Sequence, residues 1–256
     1  MIFKIRPDVK KQFDTVHDFS IKNLIVSGCS FTYNNHASAA VTWPYYLKDL
    51  GGFSQVLDSS LPGAGNFHIS NSLLWSLEND RPDPADSLVI VMWSGCDRDD
   101  YICPEDSNTK KYPFEFRYSK NIISAITGGT HPEANGNVVG SFKDFSQTKT
   151  PESRAIENYL YIVSTQNYLK AMGYKFLFLN FLSSRLPSRS YHFDIALYLD
   201  TNIKKNLNQM IAKITDPYTW AVKNDQLCAD NYHPSPDGHL SWTKNVLIPH
   251  LKTLPI

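Results

Sequence analysis

Ser87-Leu88-Val89-Ile90-Val91-Met92-Trp93 is apolar at every position after its first residue and stops at Ser94-Gly95. A strand with one wet face alternates apolar and polar side chains. A strand with no polar interior position has to be covered on both faces, as a parallel strand between two helical layers is. The same signature, a short apolar run followed by small or turn-forming residues, recurs at Asn23 to Ser27, which runs into Gly28, and at Lys175 to Phe181; Ser54 to Leu57 is a further candidate. Helical spacing fills the gaps between these runs. Ile69, Leu73, Leu74 and Leu77 share one face, and Ile156, Leu160, Val163 and Tyr168 share one within Ser153 to Met172, which Gly173 ends. A weaker helix is expected over Ile203 to Ile214. A last one runs from about Pro236 to Leu251, with Ser235 as its N-cap and Pro236 at its first position. Strands alternating with helices predict an α/β protein with a mainly parallel sheet.

The chain has 256 residues, 42% of them hydrophobic, enough to bury one α/β core. We expect residues 1–256 to form a single domain with an irregular insertion at about 101–151. There Gly, Asn, Pro, Lys and aromatics break the pattern, and only Ile122 to Ile126 looks regular. Within it Tyr112, Phe114, Phe116 and Tyr118 alternate at period two, which fits a half-buried hairpin strand or the wall of a lid over a sugar or acyl group. Lys plus Arg equals Asp plus Glu, 25 each, so no net field recruits nucleic acid or an anionic membrane. No apolar run approaches the roughly 20 residues of a membrane-spanning helix, and the charged stretch Met1 to Asp18 lacks the apolar centre of a secretory signal. The cysteines (Cys29, Cys96, Cys103, Cys228) contain no CxxC and fit neither a disulfide scaffold nor a zinc site. A reducing cytoplasm is the default expectation, and a viral protein would read the same way. His68, His131, His192, His239 and His250 have no ligand spacing to one another, and Gly63-Ala64-Gly65 lacks the GK[ST] that completes a phosphate loop. Neither a metal nor a cofactor is expected.

The chemically distinctive residues gather just past the predicted strands, where open α/β sheets bind their ligands. Ser30 follows the first strand, Gly65 and Asn66 the second, Gly95 and Asp97 the third. Asp230 and His233 precede the last helix. A serine hydroxyl becomes a useful nucleophile once a base removes its proton, and the usual base is a histidine oriented by a carboxylate. Ser30, in the turn Gly28-Cys29-Ser30-Phe31-Thr32, is placed to be that nucleophile. Its own N–H, at the start of an expected helix, would face an oxyanion. Asp230 and His233, three apart, can be aimed together by one tight turn. Taken singly, Ser30 reads better as a helix N-cap, and Asp230 with His233 reads as a capping pair before the last helix.

Ile25 to Thr32 (IVSGCSFT) resembles the first sequence block of the SGNH (GDSL-like) serine hydrolases, and Asp230-Asn231-Tyr232-His233-Pro234 is similar to their last block, DxxHP. The family's order is kept from residue 25 to 234. The resemblance implies a flavodoxin-like three-layer α/β/α sandwich, the SGNH hydrolase fold. It also implies a Ser30–His233–Asp230 triad, and an oxyanion hole built from the N–H groups of Ser30 and Gly65 with the Asn66 side chain. The family's third block is Gly-x-Asn; here Gly95-Cys96-Asp97 stands in its place. An ionised Asp97 cannot donate a hydrogen bond. Asp97 is then protonated, or Asn66 or Arg98 supplies the donor, or the site is degenerate; a substitute donor is favoured. The implied function is hydrolysis of an ester, removing short acyl (acetyl) groups from a carbohydrate or small ester. A lipase would need a larger apolar cleft. The alternative is a non-catalytic module that holds a glycan or a protein on the same fold.

Overall fold

The computed structural model describes residues 17–33, 41–95, 98–102, 122–126, 150–180 and 201–256. Its centre is a four-stranded parallel sheet of β1 (Asn23–Ser27), β2 (Gln55–Asp58), β3 (Ser87–Trp93) and β6 (Lys175–Asn180), in the order β2-β1-β3-β6. Every pairing is parallel, with Asn23 opposite both Gln55 and Ser87, and Leu88 opposite Lys175. All seven residues of β3 are buried, which is why that stretch carries no polar alternation. The chain crosses from β1 to β2 on one side and returns past β1 to β3 on the other. The loops leaving β1 and β3 therefore part at a topological switch point, where such sheets place their sites.

Helices α1 (Trp43–Gly51), α2 (Asn66–Asp80), α3 (Pro151–Ala171), α4 (Thr201–Met210), α5 (Pro217–Lys223), α6 (Pro236–Trp242) and α7 (Ile248–Leu251) complete the described core, with β4 (Arg98–Ile102) and β5 (Ile122–Ile126) as a separate antiparallel pair. They form two groups. α1 packs on β1, β2 and α6, while α2 packs on β1, β3 and α3. Since β1 and β3 are buried on both faces, the groups flank the sheet as the sequence reading expected. Trp43 and Trp242 meet edge to face at 6.1 Å between α1 and α6. Ser70 and Thr165 hydrogen-bond at 2.7 Å between α2 and α3.

Local chemistry sets the ends of these helices. Ser235 caps α6 by accepting the Gly238 N–H at 3.1 Å, with Pro236 in the first turn. Gly52, at φ 76°, closes α1 in the left-handed region. The last helix is not uniform: Thr243–Leu247 is a π-helical turn ahead of α7. Pro249 has no N–H for that ladder and its ring crowds the preceding turn, which accounts for the wider winding. α4 ends at Met210, short of the expected Ile214. Ala212 N–H donates to the Phe178 carbonyl at 2.9 Å, and Ile211 makes an isolated parallel bridge to the open edge of β6. No described helix is long and apolar enough to cross a membrane.

Candidate active site

The turn after β1 carries the first site residue. Thr32 N–H and Tyr33 N–H both donate to the Cys29 carbonyl, at 2.9 and 3.0 Å, which closes one turn around Ser30. Directly after Ser30, as far as residue 33, the chain forms this turn where a helix was expected; the next described helix starts at Trp43. Gly28 is needed because a Cβ there would lie 2.3 Å from Thr32 Oγ1 and 3.2 Å from the Met92 carbonyl. Phe31 and Thr32 are buried behind the turn and Ser30 is half-buried.

The second half of the site comes from the loop before α6. Cys228 N–H donates to the His233 carbonyl at 2.7 Å, Ser235 N–H to the Gln226 carbonyl at 2.8 Å, and Leu227 bridges Pro234. The loop tip turns at Asn231, whose φ of 55° is left-handed, a region asparagine tolerates better than most residues. That turn lets Asp230 Oδ1 accept the N–H groups of Tyr232 (2.8 Å) and His233 (2.9 Å). Its Oδ2 lies 2.6 Å from His233 Nδ1.

The two halves meet: His233 Nε2 stands 2.9 Å from Ser30 Oγ, across 203 residues of sequence. Burial works to raise the Asp230 pKa, but the bonds from the His233 ring and from the two backbone amides outweigh it and hold the carboxyl below its usual range. Asp230 is thus ionised at neutral pH and fixes the Nδ1–H tautomer, leaving Nε2 to accept from the serine. Such an arrangement can take a proton from Ser30 and return it to a leaving group.

Two of the three expected oxyanion donors, Gly65 N–H and the Asn66 side chain, are engaged elsewhere. Gly65 N–H donates to Asp100 Oδ1 at 2.9 Å, and His68 N–H to Asp100 Oδ2 at 2.7 Å, so this carboxylate from β4 caps the N-terminus of α2. Asn66 is 1% exposed. Its amide nitrogen donates to the Ser94 carbonyl (3.0 Å) and to Asn158 Oδ1 (2.6 Å), and its oxygen accepts from Ser94 N–H (2.7 Å). Both amide hydrogens are committed, so the expectation that this side chain faces an oxyanion is corrected: it ties α2 to the end of β3 and to α3. Gly95 lies two residues past β3 and is half-buried. Asp97 and the side chain of Arg98 lie outside the described residues, as does the aromatic alternation from Tyr112 to Tyr118.

Three sets of neighbours, four residues in all, escaped the sequence reading. Asp100 belongs to Asp97-Arg98-Asp99-Asp100, which in sequence reads as a solvated loop with an Arg–carboxylate pair. Phe31 and Tyr232 stand beside Ser30 and His233 in sequence and pack against the imidazole in space. Gly63 is the third: Leu61-Pro62-Gly63-Ala64 has proline second and glycine third, the order of a type II turn, which is the signal that could have found it. Gly63 adopts φ 77°, Ala64 N–H closes on the Leu61 carbonyl at 3.2 Å, and Leu61 N–H donates to the Gly28 carbonyl at 3.0 Å, holding this turn against the one that carries Ser30.

No family model matches the chain, and no curated protein sequence matches it. In fold it is similar to solved structures at low identity. A psychrotrophic esterase EstA from Pseudoalteromonas sp. is 10% identical with a TM-score of 0.49, over 91% of this chain and 97% of that one. A member of the lipolytic protein G-D-S-L family from Veillonella parvula DSM 2008 is 12% identical at 0.46, over 91% and 100%. An acetyl-xylooligosaccharide esterase from Geobacillus Stearmophilus is 13% identical at 0.47, over 90% and 93%. Among the solved structures that the chain resembles in fold are lipolytic G-D-S-L proteins and esterases.

Proposed function

We propose that the chain is a serine ester hydrolase, with Ser30 as nucleophile, His233 as base and Asp230 as the orienting carboxylate. One observation carries the reading: the line Ser30 Oγ–His233 Nε2–His233 Nδ1–Asp230 Oδ2, at 2.9 and 2.6 Å, assembled from segments 203 residues apart. A helix N-cap has no use for a remote imidazole, and a capping pair has no use for a remote hydroxyl. In this reading Ser30 attacks the ester carbonyl as His233 takes its proton, and His233 then protonates the departing alcohol. A water molecule deprotonated by the same ring releases the acid from the acyl-serine. The tetrahedral oxyanion faces backbone N–H groups. With Gly65 bound to Asp100, and with Leu61 and Ala64 N–H spent inside the turn tied to Gly28, the Gly63 N–H is the candidate partner for the Ser30 N–H. The substrate side of the proposal is a short acyl group, acetyl in the first instance, on a carbohydrate or small alcohol.

A second reading, a non-catalytic glycan- or protein-binding module, draws its support from the engagement of Gly65 and Asn66, which leaves fewer donors for an oxyanion. One experiment separates the two. The parent is exposed to a fluorophosphonate probe and to acetyl and butyryl p-nitrophenyl esters, beside Ser30→Ala. The hydrolase reading expects labelling and turnover in the parent and neither in the variant. Equal labelling of both proteins would remove Ser30 from the mechanism, and an inert parent would favour the binding module.

A further inference from the structure

We infer that Phe31 is a positioning residue for His233 and forms with Tyr232 an aromatic corner that holds the imidazole against Ser30. This rests on the hydrolase reading above. The hydrogen-bonded line alone is a loose hold: the side chains of His233 and Asp230 are 34% and 48% exposed, and ion pairs open to water contribute little rigidity. The rings supply what the pair lacks. The Phe31 ring centroid lies 5.1 Å from that of the imidazole with their planes at 39°. Tyr232 meets the imidazole edge to face at 5.1 Å and 89°. Phe31 and Tyr232 also brace each other, at 5.6 Å and 81°, and Tyr218 backs Tyr232 at 6.0 Å. Phe31 has no exposed surface, so it cannot swing away without opening the core.

The placement is economical in sequence. Ser30 offers its hydroxyl to one nitrogen of the ring and the next residue offers its side chain to the ring itself, so one turn of chain sets both partners of the proton transfer. Two consequences follow. The ring walls restrict the imidazole to orientations in which Nε2 points at Ser30 Oγ, which reduces the disorder the transition state must overcome. An aromatic face within about 6 Å attracts a cation, so a ring that turns its face to the imidazole also favours the imidazolium that forms as the proton moves. Both effects act on the rate of bond formation rather than on substrate affinity.

The test uses Phe31→Leu and Tyr232→Leu, with Tyr232→Phe as the conservative variant. We expect each leucine variant to lower kcat on the order of tenfold with KM changed less than about twofold, the loss that one or two ring contacts imply. The fluorophosphonate labelling rate, which needs the same base, should fall by the same factor, and Tyr232→Phe should recover what Tyr232→Leu loses. Far-ultraviolet dichroism and the melting temperature establish that each variant is folded; Tyr232, half-buried, keeps the test open if Phe31→Leu unfolds. Folded leucine variants labelled at the parent rate would overturn the inference. A parent that the probe does not label refutes the hydrolase reading instead, and the contact is then decided by nuclear magnetic resonance. A His233 ring-proton signal that shifts and broadens in Tyr232→Leu supports the corner, and an unchanged signal overturns it.

Discussion

At the scale of one residue, Asn66 shows how little a side chain's chemistry says until its neighbours are known. A carboxamide beside a predicted oxyanion glycine is a natural donor, yet here both amide hydrogens and the oxygen are taken by Ser94 and Asn158. The two roles predict opposite outcomes for Asn66→Ala. A donor to an oxyanion would cost turnover by about 100- to 1,000-fold and leave stability nearly alone. A buried tie leaves the Ser94 N–H, the Ser94 carbonyl and Asn158 Oδ1 without this partner, and stranding buried polar groups costs about 1–3 kcal/mol each. We expect the second pattern: urea unfolding shifted by about 2 kcal/mol or more, with kcat falling less than about tenfold in the folded fraction. A variant as stable as the parent but catalytically dead would return Asn66 to the oxyanion hole. Ser30, Asp230 and His233 carried a clearer signal because a Gly-x-Ser turn and a DxxHP loop are local patterns, legible without knowledge of what lies across the sheet.

At the scale of elements, what could be read depended on how far each signal travels along the chain. β3 is visible because its burial on both faces is written into seven consecutive residues, and α6 because Ser235 and Pro236 mark its start within two. The short helix α1 was not legible: Pro44 and Gly52 bracket only nine residues, and its apolar side chains Trp43, Leu47 and Leu50 look like any mixed segment until α6 is seen against them. The β4–β5 pair was legible only in part, as the regularity at Ile122 to Ile126, since pairing Arg98 with Ile126 is a long-range event. Its link to the rest of the fold, Asp100 on the N-terminus of α2, could not be read at all. A carboxylate at a helix N-terminus meets unpaired N–H groups and the positive end of the helix dipole. Asp100→Ala should therefore destabilise the protein by about 1–3 kcal/mol. It should also speed hydrogen exchange at the amides of Gly65 and His68 ahead of the amides in the middle of α2. Unchanged exchange at those two positions would mean that the cap contributes nothing in solution.

For the whole molecule, the pH dependence of stability should be set by histidines that the catalytic reading does not use. His239, on α6, is 4% exposed; burial, with a smaller push from His233, lowers its pKa to about 3. His68, in the first turns of α2, is 2% exposed and is lowered by burial to about 4. Both are neutral in the folded chain across the mildly acidic range, whereas in the unfolded chain each takes up a proton as pH falls through its ordinary value near 6.5. The unfolded state then binds more protons than the folded one, so stability is fully present above about pH 6.5 and drains away below it, each histidine contributing up to about 1.4 kcal/mol per pH unit. The loss for each continues until its folded value is reached. Asp230 has the opposite starting charge but adds in the same direction lower down: its depressed carboxyl favours the folded state above the usual carboxylate range and gives that up as pH falls through its folded value. Between pH 7.5 and pH 5 we expect the unfolding free energy to drop by about 2 kcal/mol for each buried histidine. The check is a set of urea titrations on the parent, His68→Asn and His239→Asn. Each variant is less stable at neutral pH, because a buried ring is lost, but its stability should change less steeply between those pH values. Parallel pH curves for all three proteins would show that neither histidine stays neutral on folding, and that the acid sensitivity of this fold arises elsewhere.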